Sequence, residues 1–159
     1  MSMHEDERIG LLEELLREKR RTSLAHTQYL ACHREYSPGQ KLYMREVHFV
    51  MAVGPGEGRT MSELARILEV TRGAVSQLAA RMEKKGYICR VKAAEDKRRT
   101  LTCLTEQGRA LYREHLAYDR ANYQQVSQLL GDFSNEELER IREYERRVRA
   151  CFTGQEDEP

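Results

Sequence analysis

Apolar positions recur at helical spacing along most of this chain and switch to a shorter period in one stretch. From about residue 7, RIGLLEELLREKRRTSLAHTQYLACHREY sets Ile9, Leu12, Leu15 or Leu16, Leu24, Tyr29 and Leu30 on one stripe, with Glu13, Glu14, Arg17, Glu18 and Lys19 outside it. That spacing predicts a long first helix, whose stripe fits a core face or a dimer face. Residues 1–6 are expected to fray. Ser37-Pro38-Gly39 is the first clear break. Beyond it, LYMREVHFVMAVG offers Leu42, Met44 or Arg45, Val47, Val50, Met51 and Val53 to a short, buried second helix. Gly54-Pro55-Gly56-Glu57-Gly58 then makes a turn too short to separate independent domains.

Two short helical patterns follow. Thr60 and Glu63 have the spacing of a capping box, and Leu64, Ala65, Ile67 and Leu68 form the apolar stripe behind it. Glu69-Val70 closes that helix. Thr71 is the N-cap of the next, in which Val75, Leu78, Ala79 and Met82 recur at i, i+3, i+4 and i+7 and line one buried face. The opposite face carries Thr71, Arg72, Gly73, Ser76, Gln77, Ala80 and Arg81, with Lys84 and Lys85 further along. Small residues at a helix start permit close approach to a major groove, and Arg and Gln reach base edges. After Gly86, a left-handed cap, residues 87–91 and 100–104 are β-prone runs around KAAEDKRR, a hairpin with a charged tip. Lys97, Arg98 and Arg99 there suit phosphate or minor-groove contact; Asp96 is expected to orient an arginine. Thr105 then caps a helix of about 26 residues, ~39 Å long. A capping box at Ser134 and Glu137 opens the last helix, edged by Leu138, Ile141, Tyr144 or Glu145, Val148, Cys151 and Phe152.

Residues 60–110 resemble the MarR (multiple antibiotic resistance regulator) family. SELARILEVTRGAVSQLAARMEKKGYICR carries the helix-turn-helix, Asp96-Lys97-Arg98 stands at the D-x-R motif of the wing, and Leu104-Thr105-Glu106-Gln107-Gly108 stands at the L-T-x-x-G opening of the next helix. Arg99 departs from the small residue many members carry there. The resemblance implies a mainly α fold with a small β-hairpin wing, a winged helix-turn-helix joined to a helical dimerisation domain. It also implies a homodimer that binds a palindromic operator in double-stranded DNA, usually as a repressor released by an effector. The expected organisation is N-terminal helices over 1–57, the winged lobe over 58–105, a linker helix and dimerisation helix over 106–153, and a disordered acidic tail over 154–159.

Charge sharpens this picture. The 159 residues carry a net charge of +1, but residues 60–113 hold 12 Lys and Arg against 6 Asp and Glu. The basic excess falls on the lobe assigned to DNA. Cys32, Cys89, Cys103 and Cys151 are widely spaced without a C-x-x-C, which suits a reducing cytoplasm. No apolar run approaches the ~20 residues of a membrane span, so no membrane partner is expected. No cofactor is expected either.

An effector would lie where the first, second and fifth helices meet the winged lobe. Its candidate lining is Tyr29, Cys32, His48, Met51, Tyr112 and His115. Organic ligand, metal, oxidant or no effector at all remain open, and each of these side chains also fits a core role. Glu46, His48, His115 and Asp119 are weak metal candidates, with His115 and Asp119 at i, i+4. Cys32 is the candidate oxidant sensor; Cys89 and Cys103 read as small core residues of the wing strands. No nucleophile elbow, P-loop, dinucleotide fingerprint or H-E-x-x-H pair is present, so an enzyme has no motif to stand on. A helical interaction module without DNA binding would leave the basic wing unexplained.

Overall fold

The computed structural model describes residues 3–37 and 39–154. The first helix, α1 (Met3–Ala31), begins earlier and ends sooner than its pattern predicts. Glu5 and Asp6 in its first turn favour the positive helix end, so residues 3–6 are helical rather than frayed. Residues 33–36, assigned above to the same helix, are strand instead. β1 (His33–Ser37) and β2 (Gln40–Tyr43) form an antiparallel hairpin in which His33 faces Tyr43 and Arg34 faces Leu42. Gly39, at φ +80°, makes the turn, and its N–H donates to the Glu35 carboxylate at 2.8 Å. The His33 and Tyr43 rings lie 3.8 Å apart between centroids, a cross-strand pair that outweighs helical periodicity.

The second helix, α2 (Met44–Val53), is the centre of the core. Seven of its ten residues are buried, among them Val47, Phe49, Val50 and Val53. Around it pack α3 (Met61–Ile67), α4 (Arg72–Lys84), a second hairpin of β3 (Ile88–Lys92) and β4 (Thr100–Leu104), and the first turns of α5 (Glu106–Leu129). Leu64, Val75, Ala79, Met82, Ile88, Leu104 and Leu111 complete that core. Ile67, expected inside, is 41% exposed because α3 presents Leu64 and Ala65 to α2. The last helix is α6 (Asn135–Thr153), capped by Ser134 and Glu137 as expected. Gly154 caps its end in a left-handed conformation, and the rest of the predicted tail lies outside the described residues.

The chain divides into two compact units, one ending at His115 and one beginning at Leu116. The first holds the core just described. In the second, α6 buries none of its side chains, and Tyr123, Leu129, Ile141 and Phe152 are exposed. α6 is laced by ion pairs between its own exposed side chains, such as Arg140–Glu136 at 3.0 Å. Arg146 and Arg147 both donate to Glu143 and hold its carboxyl down at about 2. No helix among the described residues is long and apolar enough to cross a membrane.

Candidate nucleic-acid interface

α3 starts on a complete capping box: the Thr60 hydroxyl accepts from Glu63 N–H at 3.3 Å and the Glu63 carboxylate accepts from Thr60 N–H at 2.7 Å. These bonds hold the Glu63 carboxyl below its ordinary range. The turn out of α3 passes through Glu69 at φ 53°, a left-handed residue, and Val70 N–H returns to the Ala65 carbonyl at 3.1 Å. Thr71 Oγ1 then accepts from Ala74 N–H at 3.2 Å and opens α4. Val75, Ala79 and Met82 are fully buried beneath α4, which leaves Thr71, Arg72, Gly73, Ser76, Gln77 and Arg81 exposed on its other side. One local feature favours a negatively charged partner there, and a second leaves room for its close approach. The first turn of α4 carries no acidic residue, so its unsatisfied N–H groups keep their partial positive charge. A Cβ on Gly73 would meet nothing closer than Thr71 Oγ1 at 3.9 Å, so nothing inside the lobe requires a glycine.

β3 and β4 pair from Ile88–Leu104 to Lys92–Thr100. A third strand segment, unmarked in the sequence pattern, joins them: Arg59 and Thr102 exchange backbone bonds at 2.8 and 3.0 Å. The tip closes where Ala93 N–H donates to the Arg99 carbonyl at 3.0 Å. Asp96 shapes this turn through backbone, its carboxylate accepting from Arg98 N–H at 2.9 Å. It therefore orients an arginine, as expected, by fixing the main chain of Arg98. Arg99 points back to Glu63 of α3, 3.8 Å away, while Lys97 and Arg98 make no ion pair among the described residues. The two of them remain the open cations of the tip.

The L-T-x-x-G segment clamps the wing to the end of α4. Thr105 Oγ1 donates to the Gly86 carbonyl at 2.6 Å and accepts from Gly108 N–H at 3.1 Å, and Thr105 N–H donates to the Tyr87 carbonyl at 3.1 Å. A Cβ on Gly108 would collide with that same Tyr87 carbonyl, so only glycine permits the approach.

Of the proposed metal set, Glu46 is otherwise engaged. It is buried, takes the Lys85 ammonium on both oxygens at 2.8 and 2.9 Å, accepts from Tyr43 N–H at 3.0 Å, and has Arg81 Nε at 4.0 Å. This pins α2 to the end of α4, a role that the spacing of Glu46 and Lys85 along the chain could not reveal. Asp119 belongs to the second unit. Among the described residues no three His, Cys, Asp or Glu side chains are placed to hold a metal ion.

The candidate effector residues are only partly gathered. His48 lies 5.6 Å from His115 and 6.2 Å from Tyr29, ring to ring. Met51 and Tyr112 are half-buried nearby in chain terms, on α2 and α5. Cys32, just past the end of α1, is exposed, with its thiol donating to the Gln28 carbonyl in the last turn of that helix, and so does not line the junction as expected. Tyr36, hidden from the sequence reading by its assignment to a helix, takes the inner place. Its hydroxyl is 2.8 Å from His115 Nδ1, and burial pushes the phenol up to about 12.

A three-segment sheet behind two helices, the second presenting an exposed polar face, defines a winged helix-turn-helix. Residues 44–99, about a third of the chain, match the model of the MarR family, so this stretch is similar to that family. Over 85 residues, 52% of each chain, it is 39% identical to an HTH-type transcriptional regulator of Bacillus cereus. It is also 39% identical to the transcriptional activatory protein BadR of Rhodopseudomonas palustris over 79 residues, 48% of this chain and 43% of BadR. The chain spans about half the length of the curated relatives it matches. In fold it is similar to Streptococcus pneumoniae FabT solved in complex with DNA, with a TM-score of 0.64 over 92% of this chain and 98% of FabT, at 23% identity.

Proposed function

We propose that this protein is a homodimeric, cytoplasmic transcriptional regulator that represses by binding a palindromic operator and is released by an effector. The observation that carries the DNA-binding part is the conjunction on one lobe of an exposed α4 start without acidic residues and a wing tip whose Lys97 and Arg98 are open. In this reading Thr71, Arg72, Gly73, Ser76, Gln77 and Arg81 face the major groove, and Lys97 and Arg98 contact phosphate or the minor groove. Arg99 braces the wing against α3 and contributes less. FabT solved with DNA supports the same use of this fold. Dimerisation is supported by the exposed apolar residues of α6, which a second copy would cover. The imidazole and phenol groups of His48, His115, Tyr29 and Tyr36 are the place for an organic effector. Its action would be to favour one spacing of the two wings over another, and it can shift that balance only by its differential affinity for the two.

Selection of operators from sheared genomic DNA tests the reading. Recovered sites should be palindromic, with half-sites about one helical turn apart. Recovery of no preferred sequence would overturn the operator, and a monomer at micromolar concentration would overturn the dimer.

A further inference from the structure

The two cysteines of the wing face each other. Cys89 and Cys103 are direct partners in the β3–β4 register, so both side chains leave the hairpin on one face, opposite to the face on which Ile88 and Leu104 enter the core. Both are half-buried free thiols. The neighbouring bonds define the kind of pair. Thr102 turns its N–H and C=O away from β3 to Arg59, and Thr105 N–H binds the Tyr87 carbonyl. Alternation along an antiparallel ladder then makes Cys89–Cys103 a hydrogen-bonded pair, with Cα atoms about 5.5 Å apart. That lies inside the ~4.4–6.8 Å span of disulfides. The Cβ atoms of such a pair, near 5.5 Å, stand wider than the ~3.5–4.5 Å of a relaxed bridge. A bond closed here draws the strands together and stays easy to reduce, as strained bridges are.

We propose that Cys89 and Cys103 form a reversible thiol–disulfide site whose oxidants are peroxides. One thiolate attacks a peroxide oxygen; the O–O bond breaks, leaving a sulfenic acid and, after protonation, one water. The second thiol attacks that sulfur, the S–S bond forms, and the sulfenic oxygen leaves as a second water. Two thiols and one hydrogen peroxide thus become one disulfide and two waters, and the two sulfurs are oxidised as the peroxide is reduced. Cys103 takes the second step. Its thiol donates to the Glu57 carbonyl at 3.2 Å, and burial, with Cys89 beside it, pushes its ionisation up.

Oxidation also changes the loop before α3. The bridged sulfur has no proton to give Glu57, and in the reduced protein Cys103 Sγ packs so closely on Gly58 that a Cβ there would collide with it. Drawing the sulfur toward Cys89 releases that loop and re-twists the hairpin that carries Lys97 and Arg98. This last consequence rests on the DNA-binding reading above.

The test uses the full chain, as wild type and with Cys32→Ser and Cys151→Ser. Each is treated with hydrogen peroxide, free thiols are alkylated, and tryptic peptides are weighed. The expected product is residues 86–90 joined to residues 100–109 with the loss of two hydrogens, restored by dithiothreitol and absent from Cys89→Ser. Because the wild type is mapped alongside, misfolding of a variant does not decide the result. Sulfenic or higher oxides on either residue without linkage, or thiols that stay reduced while Cys32 and Cys151 react, overturn the site. Operator binding of the same samples should weaken about tenfold on linkage, equivalent to ~1.4 kcal/mol, and recover on reduction. Unchanged binding after complete linkage overturns the coupling to the wing. A reduced protein that binds no DNA overturns the DNA-binding reading and leaves the thiol chemistry standing.

Discussion

Gly73 occupies a position where the fold itself gains nothing from a glycine. It is second in α4 and has open space where a side chain would project. Gly73→Ala should therefore raise stability by about 0.5–1 kcal/mol, the usual difference in a helix, while weakening operator binding because the backbone can no longer approach as closely. Denaturant unfolding and fluorescence anisotropy read the two effects separately. Gly108 is the opposite case, since its missing Cβ makes room for the Tyr87 carbonyl. Gly108→Ala should cost about 1–3 kcal/mol by overpacking, seen as a lower denaturation midpoint. Tyr36 yields a pH prediction. Its phenol is raised from 10.0 to about 12, chiefly by burial. Above pH 10 the unfolded chain loses this proton first, so the stability it contributes is whole below pH 10 and is lost as pH rises toward 12. Melting temperature should fall over that window, and less steeply in Tyr36→Phe.

At the scale of elements, what was legible in the sequence is what local chemistry dictates. Thr60, Thr71 and Ser134 announced three helix starts through caps, and the β-prone runs around residues 92–99 announced the wing. The first hairpin was missed because His33, Arg34, Glu35 and Tyr36 continue the helical spacing of α1, while the His33–Tyr43 ring pair that settles them as strand depends on a partner ten residues away. For the same reason the site residues added by the structure, Arg59 on Thr102, Lys85 on Glu46 and Tyr36 on His115, are all non-local pairs. α6 gives the prediction that belongs at this scale. Ile141 is 46% exposed on its apolar edge, with Leu138 and Tyr144 beside it. Ile141→Asp should leave the monomer folded but place an unpaired charge in the proposed dimer interface, at a cost on the order of 3–5 kcal/mol for a buried unpaired group. Analytical ultracentrifugation should then show loss of the dimer while far-UV circular dichroism is retained; an unaltered dimer would place the interface elsewhere.

For the molecule as a whole, a net charge of +1 conceals a division in which residues 60–113 carry 12 cationic and 6 anionic side chains. A chain so divided should bind DNA through one face and owe much of its affinity to released counterions. The most direct measurement is the salt dependence of operator affinity for the wild type and for a Lys97→Ala, Arg98→Ala double variant. The wild type should lose affinity steeply as salt rises. The variant should bind every sequence more weakly, with a slope of log affinity against log salt shallower by about 1.8, the release expected from two phosphate contacts. An affinity indifferent to salt, or a variant with the wild-type slope, would contradict the assignment of this wing and helix to DNA.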